Sequence, residues 1–158
     1  MKHDELYFVE RTYPVTIERL WQAWSDPAEL EAWYSPVDLA VVPGSVANEV
    51  RVGGVWAVGV DVSKFSMPNA YFFGRYTEVE PLRKMVHTMH YTQDATEAAA
   101  RDESTPFHII AIDFAQREDG AWCRFTQFGE MPEAQIELTR QGMSSYFENL
   151  AQHLSGQL

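Results

Sequence analysis

Apolar residues along this 158-residue chain change period three times. From Leu6 to Tyr13, in "LYFVERTY", they alternate as a half-buried strand does, and Pro14 closes the run because it has no N–H to give a ladder. Ile17, Leu20, Trp21 and Trp24 then fall at i, i+3, i+4 and i+7, one face of a helix that Thr16 can cap. "SDPAEL" restarts the count. Asp26 is the next N-cap, Pro27 takes the first helical position and Glu29 stands three residues after the cap. The second short helix carries Leu30 and Trp33 on one face and is expected to end at Pro36.

From Asp38 to Phe128 the period returns to two. "DLAVV", "VRVGGVWAVGVDV", "AYFFGRYTEV", "RKMVHTMHY", "FHIIAIDFAQ" and "WCRFTQF" are rich in β-branched and aromatic residues and are separated by "PG", "EP" and "EDG" turns. Between Tyr91 and Pro106, "TQDATEAAARDEST" is polar and Ala-rich, an exposed loop with room for a helical turn, expected to be the most mobile part of the chain. After Pro132, Met143, Tyr146, Phe147, Leu150 and Leu154 form one apolar stripe on a long helix. Gly142 interrupts that helix. A mid-helix glycine costs about 1 kcal/mol relative to alanine, so it marks close packing, room for something, or a tolerated neutral position.

A large antiparallel sheet and one long amphipathic helix bury both apolar faces when the sheet curls around the helix. The fold expected is α+β, a curved sheet wrapped around the C-terminal helix with two short helices after the first strand, in one domain spanning residues 1–158. Curling leaves a wedge between sheet and helix, which large aromatics fill or line.

Charge narrows the partners. With 23 acidic against 12 basic residues the formal charge is −11, which argues against nucleic acid and against anionic membrane surfaces, both of which need clustered Lys and Arg. The lone Cys123 allows neither an internal disulfide nor a thiolate cluster. "MKHDELYF" carries charge where a signal peptide needs an apolar core, and no run approaches the ~18 apolar residues of a membrane span. A cytoplasmic protein is expected. An exposed strand edge is compatible with a homodimer.

Catalytic and metal motifs give little. Gly53-Gly54 reads as a bend or bulge and not as a phosphate loop. His87 and His90 sit on one strand with opposite parity, so no metal site and no cofactor are expected. Cys123 with His87 or His108 would be a nucleophile–base pair only if the fold joined them. His108 and Asp113, five apart on a strand, face opposite ways.

The segments "YPVTIERLWQAWSDPAELEAWYSP", "VRVGGVW", "GRYTEVEP" followed by "RKMVHTM", "FTQFGEMPEA" and "GMSSYFENLAQHL" occur in an order that resembles the Aha-type family, homologues of the activator of the heat-shock-protein-ninety ATPase. That family lies in the START, polyketide-cyclase and pollen-allergen-like superfamily with the helix-grip fold, and the resemblance covers nearly the whole chain. Tyr34 keeps the family's aromatic pair after Trp33. Gly142-Met143 departs from the usual Gly-Trp, and "RKMVHTMHY" is richer in Met and His than usual, which implies a softer cavity of different polarity. The resemblance implies a scaffold that binds hydrophobic ligands.

Strand parity proposes the inner faces: Met85, His87 and Met89 on one strand, and Trp56, Val58 and Val60 on another. The resemblance adds Cys123, Phe125 and Gln127. The long helix offers Met143, Tyr146, Phe147 and Leu150, Trp24 and Trp33 are expected to close the cavity's end, and Trp21 to pack helix on sheet. Arg75 and Tyr71 are candidate polar contacts. Trp, Met and Phe residues in such positions are more often plain core than ligand contacts, and a lone His87 is more often a satisfied core histidine than a polar anchor. Gln127 is more pointed, because a buried amide must find partners. The leading reading is binding of a small hydrophobic or aromatic ligand. The alternatives are a cyclase- or hydrolase-type enzyme using His87, Gln127 or Tyr146, and a chaperone-ATPase-activator-like interaction module, an activity that in relatives goes with a further domain.

Overall fold

The computed structural model describes residues 3–156. Its elements are strand β1 (Asp4–Tyr13), helices α1 (Ile17–Ser25) and α2 (Pro27–Trp33), the two-residue strands β2 (Ala40–Val41) and β3 (Ala47–Asn48), and β4 (Val55–Asp61). After a short 3₁₀ turn at Ser63–Phe65 come β5 (Ala70–Glu80), β6 (Lys84–Thr92), helix α3 (Ala95–Ala100), β7 (His108–Arg117), β8 (Gly120–Gly129) and α4 (Glu133–Ser155). The sheet is antiparallel, ordered β1-β8-β7-β6-β5-β4-β2, with β3 also on β4. It is the curled α+β sheet around a long C-terminal helix that the periodicity predicts.

Local chemistry sets the boundaries. Thr16 accepts a hydrogen bond from the Arg19 N–H at 3.1 Å and starts α1. Asp26 ends α1 through its own N–H to the Gln22 carbonyl and caps α2 by accepting from the Ala28 N–H at 2.9 Å. Two helices therefore meet at one residue, and Pro27 starts the second. α2 stops at Trp33, before Pro36, because the residues ahead of a proline are pushed out of the helical region. Glu29 does not complete a capping box. Its carboxylate instead lies 2.8 Å from the Arg19 guanidinium and 2.9 Å from His153 of α4.

Two strand expectations contract. "DLAVV" yields only Ala40–Val41, and the strand in "VRVGGVWAVGVDV" begins at Val55. Gly53 has φ +84°, and a Cβ at Gly54 would sit 2.0 Å from the Glu49 carbonyl oxygen, so the Gly-Gly pair makes the tight bend that precedes β4. The polar stretch after Tyr91 holds α3, capped by Asp94, whose carboxylate accepts from the Thr96 and Glu97 N–H groups.

The core lies between the concave sheet face and the C-terminal half of α4, where Phe147, Leu150 and Leu154 are buried with Tyr13, Ala121 and Cys123. Polar ties fix the helix there. The Tyr13 hydroxyl donates to the Phe147 carbonyl at 3.0 Å, Asn149 donates to the Trp33 carbonyl at 2.8 Å, and Ser145 accepts from the Val37 N–H at 2.9 Å. With its C-terminal half anchored, α4 leaves the space at its other half unfilled.

Candidate functional site

That space is a cavity of about 1170 Å³ between the sheet and the N-terminal half of α4. Gln135, Thr139, Gly142, Met143 and Tyr146 line it from the helix, a single face at i, i+4, i+7, i+8 and i+11. The helix fills its packed half with Phe and Leu and lines the cavity with Gln, Thr and Gly. A Cβ placed on Gly142 would meet nothing within 4 Å, so this glycine marks open room and not close packing.

From the sheet, Tyr7, Trp56, Phe72, Met89, Phe125 and Gln127 face the cavity, and Tyr34 lines it from the end of α2. The segment after β6 supplies the rim, with Glu97, Asp102 and Phe107, while Glu130 stands in the connection between β8 and α4. Asp102 is held below the usual carboxylate range, chiefly because the Ser104 hydroxyl and N–H donate to it. Among the described residues lining the cavity there is no Lys or Arg.

Tyr34 is the aromatic hub, with ring centroids 5.1 Å from Tyr146, 5.2 Å from Trp33 and 6.0 Å from Trp56. Burial raises its hydroxyl well above the ordinary tyrosine value, and the hydroxyls of Tyr146 and Tyr7 raise it further. The Tyr7 and Tyr146 hydroxyls are raised for the same first reason. All three phenols stay neutral, so the inner wall offers hydrogen bonds without charge.

One polar chain crosses this wall. The Tyr7 hydroxyl donates to Gln127 Oε1 at 2.5 Å, Gln127 Nε2 lies 2.7 Å from His108 Nδ1, and His108 Nε2 lies 3.1 Å from the Glu130 carbonyl. The buried amide of Gln127 is thus satisfied at both ends. A Cβ at Gly129 would come within 2.4 Å of the imidazole, so glycine there lets His108 reach Glu130.

The structure sorts the sequence-derived candidates by depth. Trp56, Met89, Phe125, Gln127, Met143 and Tyr146 line the cavity. Met85, His87, Phe147 and Leu150 point to the same concave side but are packed below it in the closed core. Trp24 and Trp33 are corrected in the same way: they meet edge to face with centroids 4.8 Å apart, fully within the core, and Tyr34 occupies the cavity end expected of them. Trp21 does pack helix on sheet, 5.0 Å from Phe114. Tyr71 and Arg75 have the opposite parity on β5. Tyr71 lies over Gly59, and Arg75 binds Glu103 at 2.8 Å and the Gly53 carbonyl at 2.9 Å.

The nucleophile–base pairs are not assembled. Cys123 is buried in the core, its thiol pushed up by burial, while His108 is spent on Gln127 and Glu130. His87 is held neutral by burial, with its titration pushed down to about 4. His108 and Asp113 do face opposite ways, and Asp113 lies 3.9 Å from Lys84. No cluster of three or more His, Cys, Asp or Glu side chains able to hold a metal occurs among the described residues. Nor is any helix among them long and apolar enough to cross a membrane.

Residues 14–155 match the family model described as Activator of Hsp90 ATPase homolog 1-like protein. The chain belongs to that family. Solved structures repeat the helix-grip fold. The AHSA1 protein of Silicibacter pomeroyi superposes with TM-score 0.78 at 18% identity, over 96% of this chain and 99% of that one. A Chromobacterium violaceum protein gives 0.73 at 23% identity, over 92% and 94%. A Staphylococcus epidermidis protein gives 0.77 at 18%, over 100% and 93%. At these identities the likeness establishes the fold alone. No curated protein is significantly similar to the chain.

Tyr7, Tyr34 and His108 are among the residues of this site that the sequence reading did not assign to the cavity, as are Phe72 and Thr139. Tyr7 shares parity with Tyr13 on β1, His108 shares it with Ile110 on β7, and Tyr34 follows Trp33 directly. Those were the available signals.

Proposed function

We propose that this Activator of Hsp90 ATPase homolog 1-like protein binds a small hydrophobic or aromatic ligand in the cavity between its sheet and α4. The observation that carries the reading is an aromatic-walled space of about 1170 Å³ with three neutral phenols at its inner end. Ligand sites are concave, mostly apolar and provided with a few convergent polar groups. A cavity this large in an otherwise packed interior forgoes burial that a few larger side chains on α4 would supply.

The enzyme reading receives less support. Of the groups offered for proton transfer, His87 lies below the cavity floor, Gln127 does not titrate, and burial holds the Tyr146 hydroxyl well above the ordinary tyrosine value.

The test is native mass spectrometry of freshly purified protein with organic extraction, joined to titration with the neutral dye N-phenylnaphthylamine. A stoichiometric apolar compound, or saturable dye fluorescence, is the expected result. An empty protein that also leaves the dye unbound would overturn the reading.

A further inference from the structure

The polar chain on the cavity wall has a fixed direction, and that direction decides which ligands fit. It starts at the Glu130 carbonyl, which can only accept. The facing His108 Nε2 therefore carries the proton. The group turned to the other nitrogen, Nδ1, at 2.7 Å is the NH₂ of Gln127, which can only donate, so Nδ1 accepts. The amide oxygen is left facing Tyr7, whose hydroxyl must donate to it at 2.5 Å. Each bond dictates the next. The outcome is that the Tyr7 proton is committed, and its oxygen turns only lone pairs towards the cavity.

The charges on the rim agree with this polarity. Glu97, Asp102 and Glu130 are acidic, and no Lys or Arg among the described lining residues offers a counter-charge. A carboxylate entering this cavity would give up water, meet only lone pairs at Tyr7 and face three acidic side chains with no Lys or Arg to offset its charge. A hydroxyl or neutral amine would give its hydrogen to the Tyr7 oxygen while its own oxygen or nitrogen remains available to the neighbouring phenols of Tyr34 and Tyr146.

We propose that the cavity selects uncharged or cationic apolar molecules that present an O–H or N–H donor to the Tyr7 oxygen, and rejects carboxylates of the same shape. This rests on the reading of the cavity as a ligand site and adds the chemical class.

A matched fluorescent series at neutral pH separates the two claims: pyrene, hydroxypyrene and pyrenecarboxylate. Hydroxypyrene is expected to bind about fivefold tighter than pyrene, the worth of one net hydrogen bond. Pyrenecarboxylate is expected to bind more weakly than pyrene. Tyr7→Phe should bring the hydroxypyrene-to-pyrene affinity ratio, both measured on the same variant, down to about one, with a thermal melt confirming the fold. Pyrenecarboxylate matching hydroxypyrene, or the advantage surviving in Tyr7→Phe, would overturn the donor rule while the cavity stands. If no member binds, the cavity reading fails and the rule falls with it. Should Tyr7→Phe not fold, the ranking on the native protein still decides.

Discussion

The imidazole of His87 lies flat against the indole of Trp56, with ring centroids 4.0 Å apart and planes inclined by 24°. Tyr76 meets the same imidazole edge on at 5.5 Å, and His87 Nδ1 donates to the Thr88 carbonyl at 2.8 Å. This stack is the floor between cavity and core: Trp56 lines the space above, and His87 is buried below.

Burial makes His87 a source of acid sensitivity. Its titration is pushed down to about 4 in the folded chain, against an ordinary value of 6.5. Between those limits the unfolded chain takes up a proton that the folded one refuses, so stability falls as pH drops from 6.5 to about 4 and changes no further through this group below that. The full loss is about 3 kcal/mol, from the size of the shift. Urea melts of the native protein and His87→Phe across this window should show a shallower pH slope in the variant. Identical slopes would mean that His87 is protonated or exposed in the native fold.

The tryptophan pair should respond unequally. Trp33 donates its indole N–H to the Ala23 carbonyl at 2.8 Å, whereas the buried Trp24 N–H has no oxygen or nitrogen partner and faces the Cys123 sulfur. Trp33→Phe is expected to cost about 1 kcal/mol more than Trp24→Phe, the net worth of one hydrogen bond. Chemical denaturation measures it. Neither change should alter binding of N-phenylnaphthylamine, because neither ring lines the cavity. Equal losses in stability, or loss of dye binding in either variant, would contradict this placement.

Gly142 offers a way to fill the cavity without disturbing the core. Gly142→Ala should raise stability by about 0.5–1 kcal/mol through helix propensity alone, since its Cβ enters open space. Gly142→Leu should fold equally well and weaken dye binding at least severalfold. A variant that folds and binds as the native protein does would show that the dye sits elsewhere.

Much of this was legible before folding, for reasons that differ by element. Asp26 followed by Pro27 announces a helix start in any context, because cap and ring act locally. The concave parity of Trp56, Met89, Phe125 and Gln127 follows from a period of two, which a strand cannot escape once one face is apolar. Depth along a strand has no such signature. Met85 and Met89 share parity and residue type, yet one is core and the other cavity wall, because α4 contacts the sheet over only part of its length.

The sequence by itself determined the order of the elements, the caps and breaks that bound them, and which side of each strand is apolar, because these depend on neighbours a few residues away. Only the tertiary structure decided where the core stops and the cavity starts. Helix α4 is pinned through Phe147, Asn149 and Ser145 to β1, to the end of α2 and to the segment that follows it, 108 or more residues earlier in the chain. It also decided that Tyr7, Gln127 and His108 form one directed chain, since Tyr7 and Gln127 lie 120 positions apart and meet only through the pairing of β1 with β8. Hydrogen-bond direction belongs to that assembled chain and to no residue within it.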